Sequence, residues 1–323
     1  MKLATLQNGK RDGRLAVISR DLSQACWAPL PTMLELMDAW DDYLPALQGI
    51  YTRLNNGQAE SFTFVPEQAM APLPRAFQWL DASAFLAHGE LMVKALKLAK
   101  NVQGDFPLIY QGGSDTFLGG YEDVPFSSTD FGIDFEGEFG VITGEVPMGA
   151  SQEQAQSSIR LILLVNDWSL RALAPAEMAT GFGWLQSKPS SSFSTVVITP
   201  DELGLCWQNQ RVQMKLEVQL NEQVFGQPFG GLMNYGFDEL IQHAARTRKL
   251  SAGTIIGSGT VSEGDPMRVG SACIAERRGY EIIQQGQPQT PFLNYGDRVI
   301  ITARDADGFA PFGKLDQKIV PQS

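Results

Sequence analysis

The chain opens on two short apolar runs, LATL and RLAVIS, separated by the turn-forming stretch NGKRDG, a pattern that predicts a β-hairpin over residues 1–19. From Thr32 to Asn56 the apolar positions Leu34, Met37, Trp40, Leu44, Leu47, Tyr51 and Leu54 recur at helical spacing, predicting a helix broken near Pro45. Pro66, Pro72 and Pro74 then interrupt the pattern between Phe64 and Arg75. This proline-rich stretch divides the chain into a small N-terminal β-containing domain over residues 1–72 and a larger domain over residues 73–323. One helix is predicted from Trp79 through Lys100, with Asp81 at its cap. Beyond it strands dominate. Residues 132–143 alternate as a strand does, and the run IRLILLV at 159–165 fits a buried strand or a helix end equally. After residue 193, FSTVVIT, VQMKLEVQLN, TIIGSG and RVIITA read as strands between Gly, Asn and Asp turns, with one helix near FDELIQHAART. The expected fold is mixed α/β and strand-rich, its second half a β-roll or β-sandwich and not a doubly wound sheet.

With 323 residues, 43% of them hydrophobic, the chain can bury one large core and a smaller second one. The 36 acidic against 25 basic residues give a net charge of -11, which argues against nucleic acid and anionic membrane as partners. Any Lys or Arg inside a pocket is more informative against that background. No run approaches the roughly 18 apolar residues of a membrane span. The first residues lack the apolar stretch of a signal peptide, so the expected compartment is the cytoplasm. Cys26, Cys206 and Cys273 are widely spaced without a C-x-x-C pattern, and they are expected to be reduced thiols.

Glu136 and Glu138 stand two apart in a predicted strand, so both side chains project from one face. A solvated edge would carry the same pattern, but the apolar neighbours Phe135, Phe139 and Val141 favour a buried one. Asp167 follows the apolar run LILLVN, where a carboxylate is either a ligand at a strand end or an N-cap for WSLRAL. His88 comes seven residues after Asp81, on the same face if the helix is unbroken. A lone helical histidine is ordinarily structural.

Taken in order, Asp81-x6-His88, Tyr110-Gln-Gly-Gly, Phe135-Glu136-Gly-Glu138, Asn166-Asp167-Trp168-Ser169-Leu170-Arg171, Ser187-Lys188 and Gly253-Thr254-Ile255-Ile256-Gly257 resemble the fumarylacetoacetate hydrolase family. The resemblance runs from about Pro72 to the C-terminus, and the N-terminal segment is similar to the small domain of the fumarylacetoacetases. It implies that Asp81, Glu136, Glu138 and Asp167 hold a hard divalent ion, Mg²⁺ or Ca²⁺, with Mn²⁺ as a substitute. Four converging carboxylates could not all stay ionised without such an ion. It further implies that His88 activates water, that Lys188 and Arg171 stabilise the oxyanion, and that Tyr110, Thr254 and Ser83 contact substrate. Glu276 would orient His88, with Glu90 the nearer alternative in sequence.

Ser83 stands where the fumarylacetoacetases have Tyr, and Ala174 where they have Gln. Arg75, Lys94 and Lys97 are the cations available in sequence to pair with an anionic substrate. The implied reaction is hydrolysis of a carbon–carbon bond in a small anionic diketo acid, first of all fumarylacetoacetate, a step of tyrosine catabolism. Hydrolysis of fumarylpyruvate or another acylpyruvate, decarboxylation, hydration and isomerisation are the family's alternatives. A catalytically silent ligand-binding member is a further one. The implied assembly is a homodimer.

Overall fold

The computed structural model describes residues 1–97 and 106–322. Its opening hairpin pairs Lys2–Leu6 with Arg14–Ile18, placing Leu3 opposite Val17 and Thr5 opposite Leu15. On one side the sheet continues through Gln24–Trp27 to Phe62–Thr63. On the other it continues through Val197–Ile198, Ile159–Asn166, Gly137–Thr143, Ile255–Gly257, Trp79–Ala82 and Ile109–Gly112. With two short branches, Ser192–Phe193 and Leu118–Gly119, this makes a mixed sheet of 12 strands. The first 72 residues therefore add strands to the sheet that carries the later ones and do not form a sheet of their own.

Period-two alternation explains how both faces are covered. Leu3, Leu15, Val17, Leu161, Leu163 and Val165 turn to the face packed by helices Met33–Asp38 and Trp40–Asn55 through Leu36, Met37 and Leu47. Ala4, Ala16, Ile18, Ile162 and Leu164 turn to the opposite core. There a second, five-stranded sheet of Gln223–Gly226, Lys215–Leu220, Arg298–Arg304, Lys314–Pro321 and Val124–Phe126 contributes Leu216, Val218, Ile301 and Leu315. The run IRLILLV is thus a strand buried on both faces, which is why it shows no alternation of polarity. Each fully buried Leu or Ile in it contributes about 1.5–3 kcal/mol.

Several expectations need correction. The helix expected from Trp79 is two elements, the strand Trp79–Ala82 and the helix Leu86–Leu96. Pairing on both sides, to Ile255–Gly257 and Ile109–Gly112, outweighs the helix propensity of Leu and Ala there. Asp81 is therefore a strand residue and not a cap, and it shares no helix face with His88; the expected positions 98–100 lie outside the described residues. The break in the first helical region falls at Ala39 and not at Pro45. Pro45 lies inside the second helix, where its missing N–H leaves the carbonyl of exposed Asp41 to water. The expected strand at 132–143 is interrupted between Ile133–Asp134 and Gly137–Thr143. The helices Gln152–Ser158 and Ile274–Gln285 escape the sequence pattern. All three cysteines are free, with Cys206 half-buried. Among the described residues no helix is long and apolar enough to cross a membrane.

Candidate metal centre

Adjacent strands bring the carboxylates together. Asp81 lies in register with Gly257, which in turn pairs with Gly140 on the strand of Glu138. A Cβ on Gly257 would collide with the Asp81 carboxylate and come within 2.8 Å of Glu138 Oε2, so the two acids converge across a position that only glycine leaves open. Two residues on, Gly259 at φ +77 aims its N–H at both acids, donating to Asp81 Oδ1 at 3.1 Å and Glu138 Oε2 at 3.2 Å. Glu136 is fixed from the neighbouring strand end. Its N–H donates to Asn166 Oδ1 at 3.0 Å, and its carbonyl accepts the N–H of Asp167 at 3.0 Å. Asp167 caps no helix, because Ser169–Leu170 is a short strand paired with Ile133–Asp134. One oxygen from each of Asp81, Glu136, Glu138 and Asp167 lies within 4.8 Å of the others, and all four residues are buried.

Two cations face this group. Lys188 is buried, and its ammonium donates to Glu136 Oε2 at 2.7 Å and Asp167 Oδ2 at 2.6 Å. Arg171 spends Nε on Asp134 Oδ2 at 2.8 Å and an Nη on Glu136 Oε1 at 2.5 Å. Tyr110 donates to Asp167 Oδ2 at 2.7 Å, and Ser191 donates to Asp167 Oδ1 at 2.6 Å. Five buried acids, counting Asp134, thus face two cations.

That imbalance shows in the acidities. Burial pushes the Asp81 carboxyl up, and the charge of Asp167 adds to it, to about 8. Burial followed by the charge of Asp81 drives Glu138 well above the carboxylate range. Burial acts on Glu136 in the same direction, but Lys188 and Arg171 outweigh it and hold that carboxyl at about 2. Glu138 Oε1 is buried without a hydrogen-bond partner among the described residues. An all-oxygen, charge-deficient group with an orphaned carboxylate oxygen fits a hard divalent cation, which would let all four acids ionise.

His88 sits beside this centre. The helix Leu86–Leu96 approaches Ile274–Gln285 closely, since a Cβ on Gly279 would lie 2.7 Å from Leu91 Cδ2. That approach brings His88 Nδ1 to 3.6 Å from Glu276 Oε1, whose oxygen also accepts the hydroxyl of Ser262. Glu90 is exposed, so Glu276 is the acid beside the imidazole. Asp134, which sequence reasoning missed, ties the parts together. Its oxygens accept the N–H groups of Ile274 at 2.7 Å and Ala275 at 2.9 Å, locking the start of the Glu276 helix to Arg171. The signal was present as Asp134-x-Glu136-x-Glu138, three acids at period two.

Other expected residues fall elsewhere. Thr254 donates its hydroxyl to the Ser251 carbonyl at 2.8 Å and precedes the strand whose far end carries Gly257, so it is not at the carboxylates. Ser83 is near: a Cβ on Gly259 would lie 3.1 Å from its Cα. Arg75 is paired with Asp12 at 2.8 Å, and Lys94 and Lys97 are exposed, which removes all three from the site. Ala174 opens the short helix Ala174–Thr180.

Fold and site together define a class: a strand-rich mixed α/β protein with a buried carboxylate centre suited to a divalent cation. Residues 78–320 match the model of the fumarylacetoacetate (FAA) hydrolase C-terminal family, and residues 1–75 match that of fumarylacetoacetase N-terminal domain 2. The chain belongs to the fumarylacetoacetate hydrolase family. It is 28% identical over 195 residues to the fumarylacetoacetase of Rattus norvegicus, a match covering 52% of this chain and 46% of the rat protein. The match therefore spans about half the length of that relative. Among solved structures, a fumarylacetoacetate hydrolase from Exiguobacterium antarcticum superposes with a TM-score of 0.68 at 16% identity, covering 100% of both chains. The maleylpyruvate hydrolase of Sphingobium sp. SYK-6, in complex with manganese(II) and pyruvate, gives a TM-score of 0.65 at 15% identity, again over 100% of both chains. At these identities the structural likeness speaks to the fold.

Proposed function

We propose that this protein is a metal-dependent hydrolase that cleaves the carbon–carbon bond of a small β-diketo acid, with fumarylacetoacetate as substrate and fumarate and acetoacetate as products. One observation carries the reading: the Lys188 ammonium, clasped by Glu136 and Asp167, shares a buried site with the His88–Glu276 pair. When bound, a divalent cation supplies Lewis-acid polarisation of the diketone and charge for the departing enolate. The all-oxygen donor set suits Mg²⁺ or Ca²⁺, with Mn²⁺ as a substitute.

The chain's own residues do the rest. His88 takes a proton from water at Nε2, while the Glu276 carboxylate, 3.6 Å from Nδ1, stabilises the imidazolium that forms. The water oxygen bonds to a carbonyl carbon, the adjacent carbon–carbon bond breaks with its electron pair leaving as an enolate, and a proton returns to that carbon. An ammonium has three protons, and Lys188 spends two on carboxylates. The third is left to hold the developing oxyanion. Arg171, whose Nε and one Nη are taken up by Asp134 and Glu136, holds Glu136 in place and adds its positive charge to the stabilisation of the oxyanion. Ser83 and Ala174 stand where the fumarylacetoacetases have Tyr and Gln, and fumarylpyruvate or another acylpyruvate is the second reading. A cytoplasmic homodimer accompanies the same reading.

Loss of enol absorbance, followed for fumarylacetoacetate and fumarylpyruvate, is the test. Chelation is expected to abolish turnover, and Mg²⁺, Ca²⁺ or Mn²⁺ to restore it; full activity in exhaustively metal-free protein would refute the mechanism. A tenfold preference for fumarylpyruvate, about 1.4 kcal/mol of transition-state discrimination, would make the second reading the first. Gly257→Ala should weaken Mn²⁺ binding at least tenfold by calorimetry with an unchanged circular dichroism spectrum. Wild-type affinity in that variant would mean that Asp81 and Glu138 do not converge on the ion.

A further inference from the structure

We propose that Trp184 is a specificity-determining residue whose indole, with the ring of Tyr110, forms an aromatic wedge that selects a flat, conjugated acyl end on the substrate. The inference rests on the hydrolase reading above and adds to it the chemistry of the acyl group. The segment before Lys188 is largely turned outward, with Phe182 98% and Leu185 81% exposed. Gly181 at φ +72 and Gly183 at φ +101 make the reversals on either side of Phe182. Trp184 turns the other way and is half-buried. Its ring centroid lies 5.5 Å from that of Tyr110 at an interplanar angle of 33°, and Lys188 Nζ lies 5.3 Å from the indole and 5.2 Å from the phenol ring. Two aromatic faces therefore flank the ammonium that touches Glu136 and Asp167.

The indole is held in place, not draped there. Glu177 accepts the N–H groups of Leu185 at 3.2 Å, Gln186 at 2.8 Å and Ser187 at 3.0 Å, together with the Ser187 hydroxyl, which fixes the chain on the C-terminal side of Trp184. A preorganised wall of this kind costs little to order on binding. At 5.5 Å and 33° the two rings do not admit a chain between them but splay toward one edge, a shallow wedge across which a flat chain can lie on both faces. Such a wedge gains dispersion contact from a planar sp² chain. A saturated chain of the same length is thicker and loses more rotor freedom on entry. Charge cannot make this distinction, because the two acids carry the same charge.

The test compares fumarylacetoacetate with the same β-diketo diacid lacking the carbon–carbon double bond, in the parent, Trp184→Ala and Trp184→Phe. Trp184→Ala is expected to lower kcat/KM for the unsaturated acid at least tenfold, mainly through KM, and for the saturated acid less than threefold. Trp184→Phe, which keeps an aromatic face, should stay within threefold of the parent on both. Mn²⁺ affinity by calorimetry should be unchanged in both variants. Equal losses on the two acids, a Trp184→Phe variant as damaged as Trp184→Ala, or loss of Mn²⁺ binding would each overturn the proposal in favour of a structural role. A parent that turns over neither acid would overturn the hydrolase reading and this inference with it, and that result is read before any variant is made.

Discussion

His88→Ala is expected to lower kcat by about 10²–10⁴-fold, the usual contribution of a positioned general base. Affinity for Mn²⁺ should be left nearly unchanged. The four carboxylates converge without the imidazole, and His88 Nδ1 is turned to Glu276, 3.6 Å away. The imidazole and the carboxylate group are thus separate devices. Glu276→Gln keeps the shape of the pair but removes the charge behind the imidazole, so it should lower kcat by less than His88→Ala does. The measurements are kcat at saturating substrate and titration calorimetry with Mn²⁺ on the same preparations. If Mn²⁺ binding disappears with activity in His88→Ala, the residue is a ligand or a strut, and the water-activating role is wrong.

Lys188→Met should have a double effect. Removing the ammonium takes away the oxyanion donor, worth about 2.7–4 kcal/mol in the barrier, or about 10²–10³ in kcat. It also leaves the buried carboxylates of Glu136 and Asp167 without the cation that bridges them. Breaking a buried pair from one side typically costs about 3–5 kcal/mol of stability. That loss should be largest in chelated protein and smaller in millimolar Mg²⁺, since a cation bound to the folded form stabilises it by mass action. Urea unfolding with and without Mg²⁺ reads the difference. Parental stability in both conditions would mean that the ion pairs do not hold the carboxylates, and unchanged turnover would remove Lys188 from the chemistry.

Much of the centre was legible in the sequence because its acids sit in patterns with a physical period. Glu136-x-Glu138 lies on one face, and Asp167 ends an apolar run that turned out to be a strand buried on both sides. What stayed hidden depends on pairing between distant segments. Trp79–Ala82 reads as helix because its Leu and Ala are good helix formers, and only its two strand partners make it a strand. Asp81 and His88 share no helix face, one lying on a strand and the other on the helix that follows it. The pairs Gly253-Thr254 and Gly259-Thr260 look alike in the chain, but the N–H of Gly259 reaches Asp81 and Glu138 whereas Thr254 turns to Ser251. Asp134 and Trp184 were passed over for a related reason. One serves a helix start 140 residues away, and the other faces a ring on a strand far back in the chain.

The contact of Gly259 with Asp81 and Glu138 joins residues 178 and 121 positions apart. Loop-closure entropy delays such contacts, and sheets rich in them fold slowly. On a ribosome, Asp81, Glu136, Glu138 and Asp167 all emerge before the strand that seats them, so the emerging chain holds acids but no ordered cage. The full ligand set is assembled only when the strand Ile255–Gly257 pairs with those of Asp81 and Glu138. The four-carboxylate cage is therefore complete only at the end of folding.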